Sequence, residues 1–421
     1  MIQSSSIASA YSPPFKIVSK YFIAAICSFI FLNFFLLISH SQIAGHHFNP
    51  RILSITHIAT LGWITMIIFG ALFQLIPVVL EVKLFSEALA EIQFWIYLTG
   101  VIGIVYAFWF FNTGLLMMFS AIILNFAILI FAVNIIFTFA KVKNWNLTGY
   151  YLIAAVFYLI VTGIAGLLLA INLGFPYIKI DHLQYLNLHA HVAFIGWVSM
   201  VVMGVTYKLI PMFTLSHGYK MIYGKWSFGF INLGLLGIST IMHYKDTTFL
   251  YYIFVPLITL GIFFFLTQVY IIFKNRVRKK LDTGLKFSTI AYLFFGLTTT
   301  LGTFIAFVDH KGIINLTLIY GYTIIFGYLS MLIVGQMYKI VPFLVWYHKF
   351  SSKVGIEKVP LLKEMFNENI AQYGFYLMII AILGTIISLT FKFDLGLTIS
   401  FFVMFVSSLI FSFNMISIFR K

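Results

Sequence analysis

Apolar stretches of about 20 residues recur along the whole of this 421-residue chain, and nothing else in the sequence constrains the fold as much. Each is long enough to cross a bilayer as a helix, which satisfies its own backbone hydrogen bonds in lipid. The composition agrees: 62% of the residues are hydrophobic and only 9% charged, where soluble proteins carry about a quarter. Twelve segments can be read, at 17–39, 51–80, 89–111, 115–140, 148–174, 184–213, 226–243, 249–273, 285–308, 313–346, 369–391 and 395–419. The longest polar stretch, Tyr347 to Gln372, reads as a loop. The expected fold is therefore all-α: one transmembrane domain over residues 1–421 with twelve transmembrane helices.

Charge sets the expected orientation. With the N-terminus cytoplasmic, 21 of the 26 Lys and Arg residues fall on the inner side. Only Arg51, Lys179, Lys245, Lys311 and Lys392 fall on the outer side. This positive-inside asymmetry places both termini in the cytoplasm and needs an even number of spans. The net charge of +15 then reflects topology and attraction to anionic lipid, and nucleic acid is not an expected partner. No cleavable signal is expected, because the first apolar segment is long and lacks a cleavage site. The single Cys27 allows no internal disulfide, and the sequence has no C-x-x-C-H motif for covalent c-type haem.

One segment occurs three times. "GWITMIIFGALFQLIP" (Gly62–Pro77), "GWVSMVVMGVTYKLIP" (Gly196–Pro211) and "GYLSMLIVGQMYKIVP" (Gly327–Pro342) align without a gap. Each opens with Gly and an aromatic, carries Thr or Ser and then Met, repeats Gly after eight residues and ends on Pro. The spacing divides the chain into three four-helix pseudo-repeats, 1–143, 144–281 and 282–421, with the repeated segment as the second helix of each. The expectation is an arrangement around a pseudo-threefold axis. The paired glycines would permit close approach of a helix or a flat ligand.

Most of the eleven histidines fall at segment ends: His40, His46, His47, His182, His243 and His310 on the outer side, His217 and His348 on the inner side. His57, His189 and His191 remain within the apolar segments. A lone helical histidine is more often a hydrogen-bonded structural residue than a ligand, but three features point to ligation. His57 and His191 share one repeat position, five residues before the glycine, and Tyr322 takes it in the third copy. His189 and His191 diverge by about 200° on a helix, so they would serve different cofactors. All three lie at a similar depth. Neutral imidazole is the usual axial ligand of b-type haem, and intramembrane ionisable residues are functional candidates. The eleven acids all fall in loops or at segment ends, so the mid-membrane carboxylate that a proton-coupled transporter needs is missing.

Twelve segments, a three-by-four pseudo-repeat, inward histidines and the H-x-H pair His189/His191 resemble the haem-copper oxidase subunit I superfamily. The likeness is to its divergent relatives near the nitric oxide reductases and NnrS-like proteins. The resemblance implies a low-spin haem held by His57 and one member of the pair, for which the repeat favours His191. A second, high-spin haem would be held by His189. It also implies one or two b-type haems, a quinol or cytochrome donor, a partner subunit and a bacterial inner membrane location. Two departures qualify it. The family's H-x-H lies on the tenth helix, where this chain has Tyr320 and Tyr322 instead. The trio of histidines for a copper site is missing, so no complete binuclear copper centre is expected.

The expected function is thus a haem-binding membrane redox protein that binds or reduces a small gas, nitric oxide or oxygen. Tyr320 or Tyr322 could supply a proton or hydrogen bond to that gas, or could simply be core aromatics. The alternatives are a transporter of haem, copper or a small solute, since repeats suit transporters too, and an assembly or stability factor without turnover.

Overall fold

The computed structural model describes residues 11–43, 48–178, 182–241, 248–308 and 315–421. His46, His47, His243 and His310 lie outside the described residues, as do the basic residues Lys179, Lys245 and Lys311 and the acids Asp181, Asp246 and Asp309. Among the described residues there is no strand, only an isolated bridge between Val354 and Glu357.

Eleven helices among the described residues are long and apolar enough to cross a membrane. They are α1 (Phe15–Ile38), α2 (Pro50–Leu80), α3 (Glu87–Trp109), α4 (Leu115–Phe139), α5 (Leu147–Gly174), α6 (His182–Thr214), α8 (Tyr251–Lys274), α9 (Thr283–Phe307), α10 (Leu316–Lys353), α11 (Glu368–Phe391) and α12 (Asp394–Arg420). Between α6 and α8 lies α7 (Ile222–Ile241), which corresponds to the expected seventh segment. It is a 20-residue helix, but Lys225, Asn232 and several glycines make it less apolar than the others. The described chain is therefore that of an integral membrane protein, with eleven clear spans among the described residues and the helix α7 where the remaining expected segment falls.

The helix limits follow from local chemistry. Ser86, Asn146, Asp282 and Asn367 cap α3, α5, α9 and α11 by accepting backbone N–H groups of the first turn. Pro50 opens α2 at a position where its missing N–H costs nothing. The Tyr347–Gln372 stretch is not all loop: α10 continues to Lys353 and α11 starts at Glu368. A polar helix end can continue past the hydrocarbon, so polarity marks the membrane boundary there and not the helix boundary.

Backbone proximity groups the chain into two units, one of Ile68–Lys279 with the chain up to Tyr21, the other of Phe22–Ile67 with Lys280–Lys421. In the first unit α3 packs on α4, α4 on α5, α5 on α6 and α7 on α8. In the second, α9 packs on α10, α11 on α12 and α10 on α12. Lipid tails are as apolar as side chains, so helix association inside a bilayer depends on close packing and hydrogen bonds. Both are present. A Cβ at Gly204 would sit 2.8 Å from Tyr151 Cβ, and Thr148 of α5 donates to the Gly204 carbonyl at 3.0 Å. A Cβ at Gly335 would lie 2.6 Å from the Gly284 carbonyl oxygen of α9.

Two lysines within the helices pair with acids near helix starts. Lys20 of α1 meets Glu91 of α3. Lys339 of α10 meets Asp282, the cap of α9, at 2.6 Å.

Candidate functional site

The repeated segment is where the helices depart from α geometry. Ile58–Thr65 in α2, Val192–Ser199 in α6 and Thr323–Ser330 in α10 are each an eight-residue π-helical run. They align with one another: each starts directly after His57, His191 or Tyr322 and ends at the Thr or Ser before the shared Met. π-helical hydrogen bonds are rare, poorer in geometry than α bonds and concentrated at functional sites. Three at equivalent positions of the repeat mark the repeated segment as a candidate site.

The two repeat-equivalent histidines are held alike. His57 Nδ1 lies 2.7 Å from the Leu53 carbonyl oxygen, and His191 Nδ1 lies 2.7 Å from that of Asn187. Both carbonyls are four residues back, at equivalent places in the repeat. A carbonyl only accepts, so in each neutral ring Nδ1 carries the proton and Nε2 the lone pair. This is how metal-ligating histidines are held: the second nitrogen donates to a carbonyl, fixing tautomer and ring orientation. His57 is partly buried, and His191 is exposed.

His189 is placed differently. Its ring lies over Gly166 of α5, where a Cβ would come 2.9 Å from His189 Cε1. Tyr320, its counterpart in the third copy, lies in the same way over Gly302 of α9, with a Cβ there 2.8 Å from the ring. Tyr322 is buried, stacks on Phe326 at 4.6 Å and lies against Phe401 of α12. His182 is a structural histidine: Asn172 donates to its Nδ1 at 3.0 Å and accepts the N–H groups of Tyr177 and Ile178. That closes the connection from α5 to α6.

Below the histidines, the aromatic that follows the first repeated glycine is buried in all three copies: Trp63, Trp197 and Tyr328 are 0%, 2% and 1% exposed. Trp63 stacks on Phe29 at 4.4 Å, Tyr328 stacks on Phe295 at 3.9 Å, and Trp197 lies within 6.2 Å of Phe69 and Phe131. Trp63 also donates to Ser330 Oγ at 3.1 Å, so the third-copy Ser reaches the first-copy indole. The glycines at this level face helices: a Cβ at Gly196 would be 2.5 Å from Tyr158 Cγ of α5, and one at Gly327 would be 2.9 Å from the Phe294 ring of α9.

In each of the two copies the imidazole is followed along its helix by a buried aromatic, Trp63 after His57 and Trp197 after His191. Among the described residues no three His, Cys, Asp or Glu side chains converge as a metal-ion site would require. Axial ligation of a haem requires only one histidine on a face. The π-helical runs were missed by the sequence reading, because side-chain pattern does not report backbone hydrogen bonding. No protein-family model matches the chain, and no curated protein shows significant similarity to it.

Proposed function

We propose that the chain is a haem-binding integral membrane redox protein in which His57 and His191 each supply an axial ligand to b-type haem. The observation that carries this reading is the shared Nδ1–carbonyl bond, 2.7 Å in both, at equivalent positions at the mouths of two π-helical runs. The bond orients each ring and makes Nε2 a better donor to iron. Bound b-type haem supplies one-electron transfer, and gas binding where one face of the iron stays open. The aromatics Trp63, Trp197 and Tyr328 that follow the first repeated glycine are buried in all three copies.

The finer architecture belongs to the same proposal: three four-helix blocks with the repeated segment second in each. The three aligned π-helical runs support it. Both termini are cytoplasmic, and the gas is nitric oxide or oxygen. His189 is the proposed ligand of a second haem, on the side of α6 that its ring already takes over Gly166. Tyr320 and Tyr322 are the proposed proton or hydrogen-bond donors to bound gas.

A visible spectrum and haem extraction on purified full-length protein test the reading. Non-covalent b-type haem is expected, with a six-coordinate low-spin component that His57→Ala and His191→Ala each remove. Protein that is folded and free of haem after expression with ample haem supply overturns it and favours the transporter alternative.

A further inference from the structure

We propose that the turn at the tip of the α10–α11 connection is an anchor for anionic lipid, seated in the headgroup layer on the basic side of the membrane. The inference rests on the membrane reading of the helices and is independent of haem.

The tip is built, not loose. Ser351–Lys353 forms a 3-10 turn, and the N–H groups of Ile356 and Glu357 both donate to the Lys353 carbonyl at 3.0 Å. Gly355 takes a left-handed φ of 84°, which lets the chain reverse. The connection is pinned to the helix ends. Trp346 of α10 donates to the Pro360 carbonyl at 2.7 Å, Met365 is fully buried, and Lys421 after α12 reaches the Glu364 carbonyl. A pinned turn would ordinarily tuck its apolar side chains inward. This one does the reverse: Ile356 is 82% exposed, Val354 54% and Leu361 56%.

Depth says what these side chains meet. Lys349, in the last turns of α10, donates to the Phe419 carbonyl at 3.1 Å, so the end of α10 is level with the end of α12. Helix α12 has 27 residues and is about 40 Å long, which matches a bilayer with its headgroup regions. The connection therefore sits at the lipid–water boundary.

Charge says which lipid. Lys349, Lys353, Lys358, Lys363, Arg420 and Lys421 crowd this end, and Lys358 and Lys363 are exposed. Three exposed carboxylates lie among these six cations: Glu357 pairs with Lys353 at 3.2 Å, Glu364 accepts the Leu361 N–H, and Glu368 accepts from Thr283, which leaves the cations in excess. An apolar tip flanked by cations is the pattern of a segment that lies in an anionic interface.

The test uses full-length protein with Cys27→Ser and Ile356→Cys, nitroxide-labelled and reconstituted in phosphatidylcholine vesicles with or without phosphatidylglycerol. Val354→Cys is read in parallel, so that no single position decides the result. In the anionic vesicles the label should meet oxygen readily and a water-soluble nickel chelate severalfold less than in detergent micelles. The shielding should weaken in pure phosphatidylcholine and after Lys358→Gln with Lys363→Gln. A label as open to the chelate in anionic vesicles as in micelles overturns the proposal. Equal shielding in both lipid compositions removes the anionic recognition and overturns it too. Shielding that appears only when soluble protein is added would make the tip a protein-docking surface and also overturn it.

Discussion

The Trp63 indole donates to the Ser330 hydroxyl at 3.1 Å, tying the π-helical run of α2 to that of α10 within one structural unit. Trp63 is fully buried, so removing the acceptor leaves an indole N–H with neither water nor a partner at that point. Ser330→Ala should therefore destabilise the protein by about 1 kcal/mol, read as a lower unfolding temperature in detergent. In a Trp63→Phe background the same substitution should be nearly neutral. An unchanged cost there would show that the hydroxyl acts through another group.

His57→Ala and His191→Ala should each abolish the six-coordinate low-spin spectrum while leaving insertion and yield intact. On the proposed reading the lost group is an iron ligand, so free imidazole added to either variant should restore part of the signal. Variants with wild-type spectra would remove both residues from the iron.

The glycine beneath His189 makes a separate test. Gly166→Ala places a Cβ 2.9 Å from the ring, so either the ring or α5 must shift. If His189 holds a second haem, Gly166→Ala and His189→Ala should both perturb the high-spin component and its carbon monoxide difference spectrum. The low-spin component should survive both. Loss of both components in either variant would mean that the two histidines of the pair serve one site.

Asn172 secures the connection between α5 and α6 with bonds to Tyr177, Ile178 and His182. Asn172→Ala removes these together, at about 1 kcal/mol for each bond that water does not replace. Limited proteolysis should then cut between α5 and α6 before any other connection. A digestion pattern identical to wild type would show that the clamp is not needed to hold the connection.

Orientation can be read by labelling. In a Cys27→Ser background, a cysteine at the exposed Ser352 should react with an impermeant maleimide only after the membrane is opened. Reaction in intact cells would invert the orientation drawn from the basic residues.

Sequence pattern reached the spans to within a few residues where a polar cap follows an apolar run. The expected 51–80 is Pro50–Leu80, and 148–174 is Leu147–Gly174 with Asn146 as its cap. It was less accurate where polarity and helicity part company. The end of α10 runs to Lys353, beyond the expected 346, and α7 starts at Ile222, four residues before the expected 226. For the site, the repeat alone picked out His57 and His191 as equivalent. It could not show that their Nδ1 atoms bond backbone carbonyls, nor that His189 turns onto Gly166. Those depend on χ angles and on the neighbouring helix, which no spacing rule contains.

Each π-type bond encloses one residue more than an α-type bond. The three runs are therefore the places where these helices hold surplus length. Elsewhere in a packed span, removing one residue rotates everything beyond it by about 100° and misaligns the whole face. Within Ile58–Thr65, Val192–Ser199 or Thr323–Ser330 the same deletion can be absorbed by tightening a wide turn. These segments are thus the tolerant joints of the described helices for changes in length, each beginning directly after His57, His191 or Tyr322.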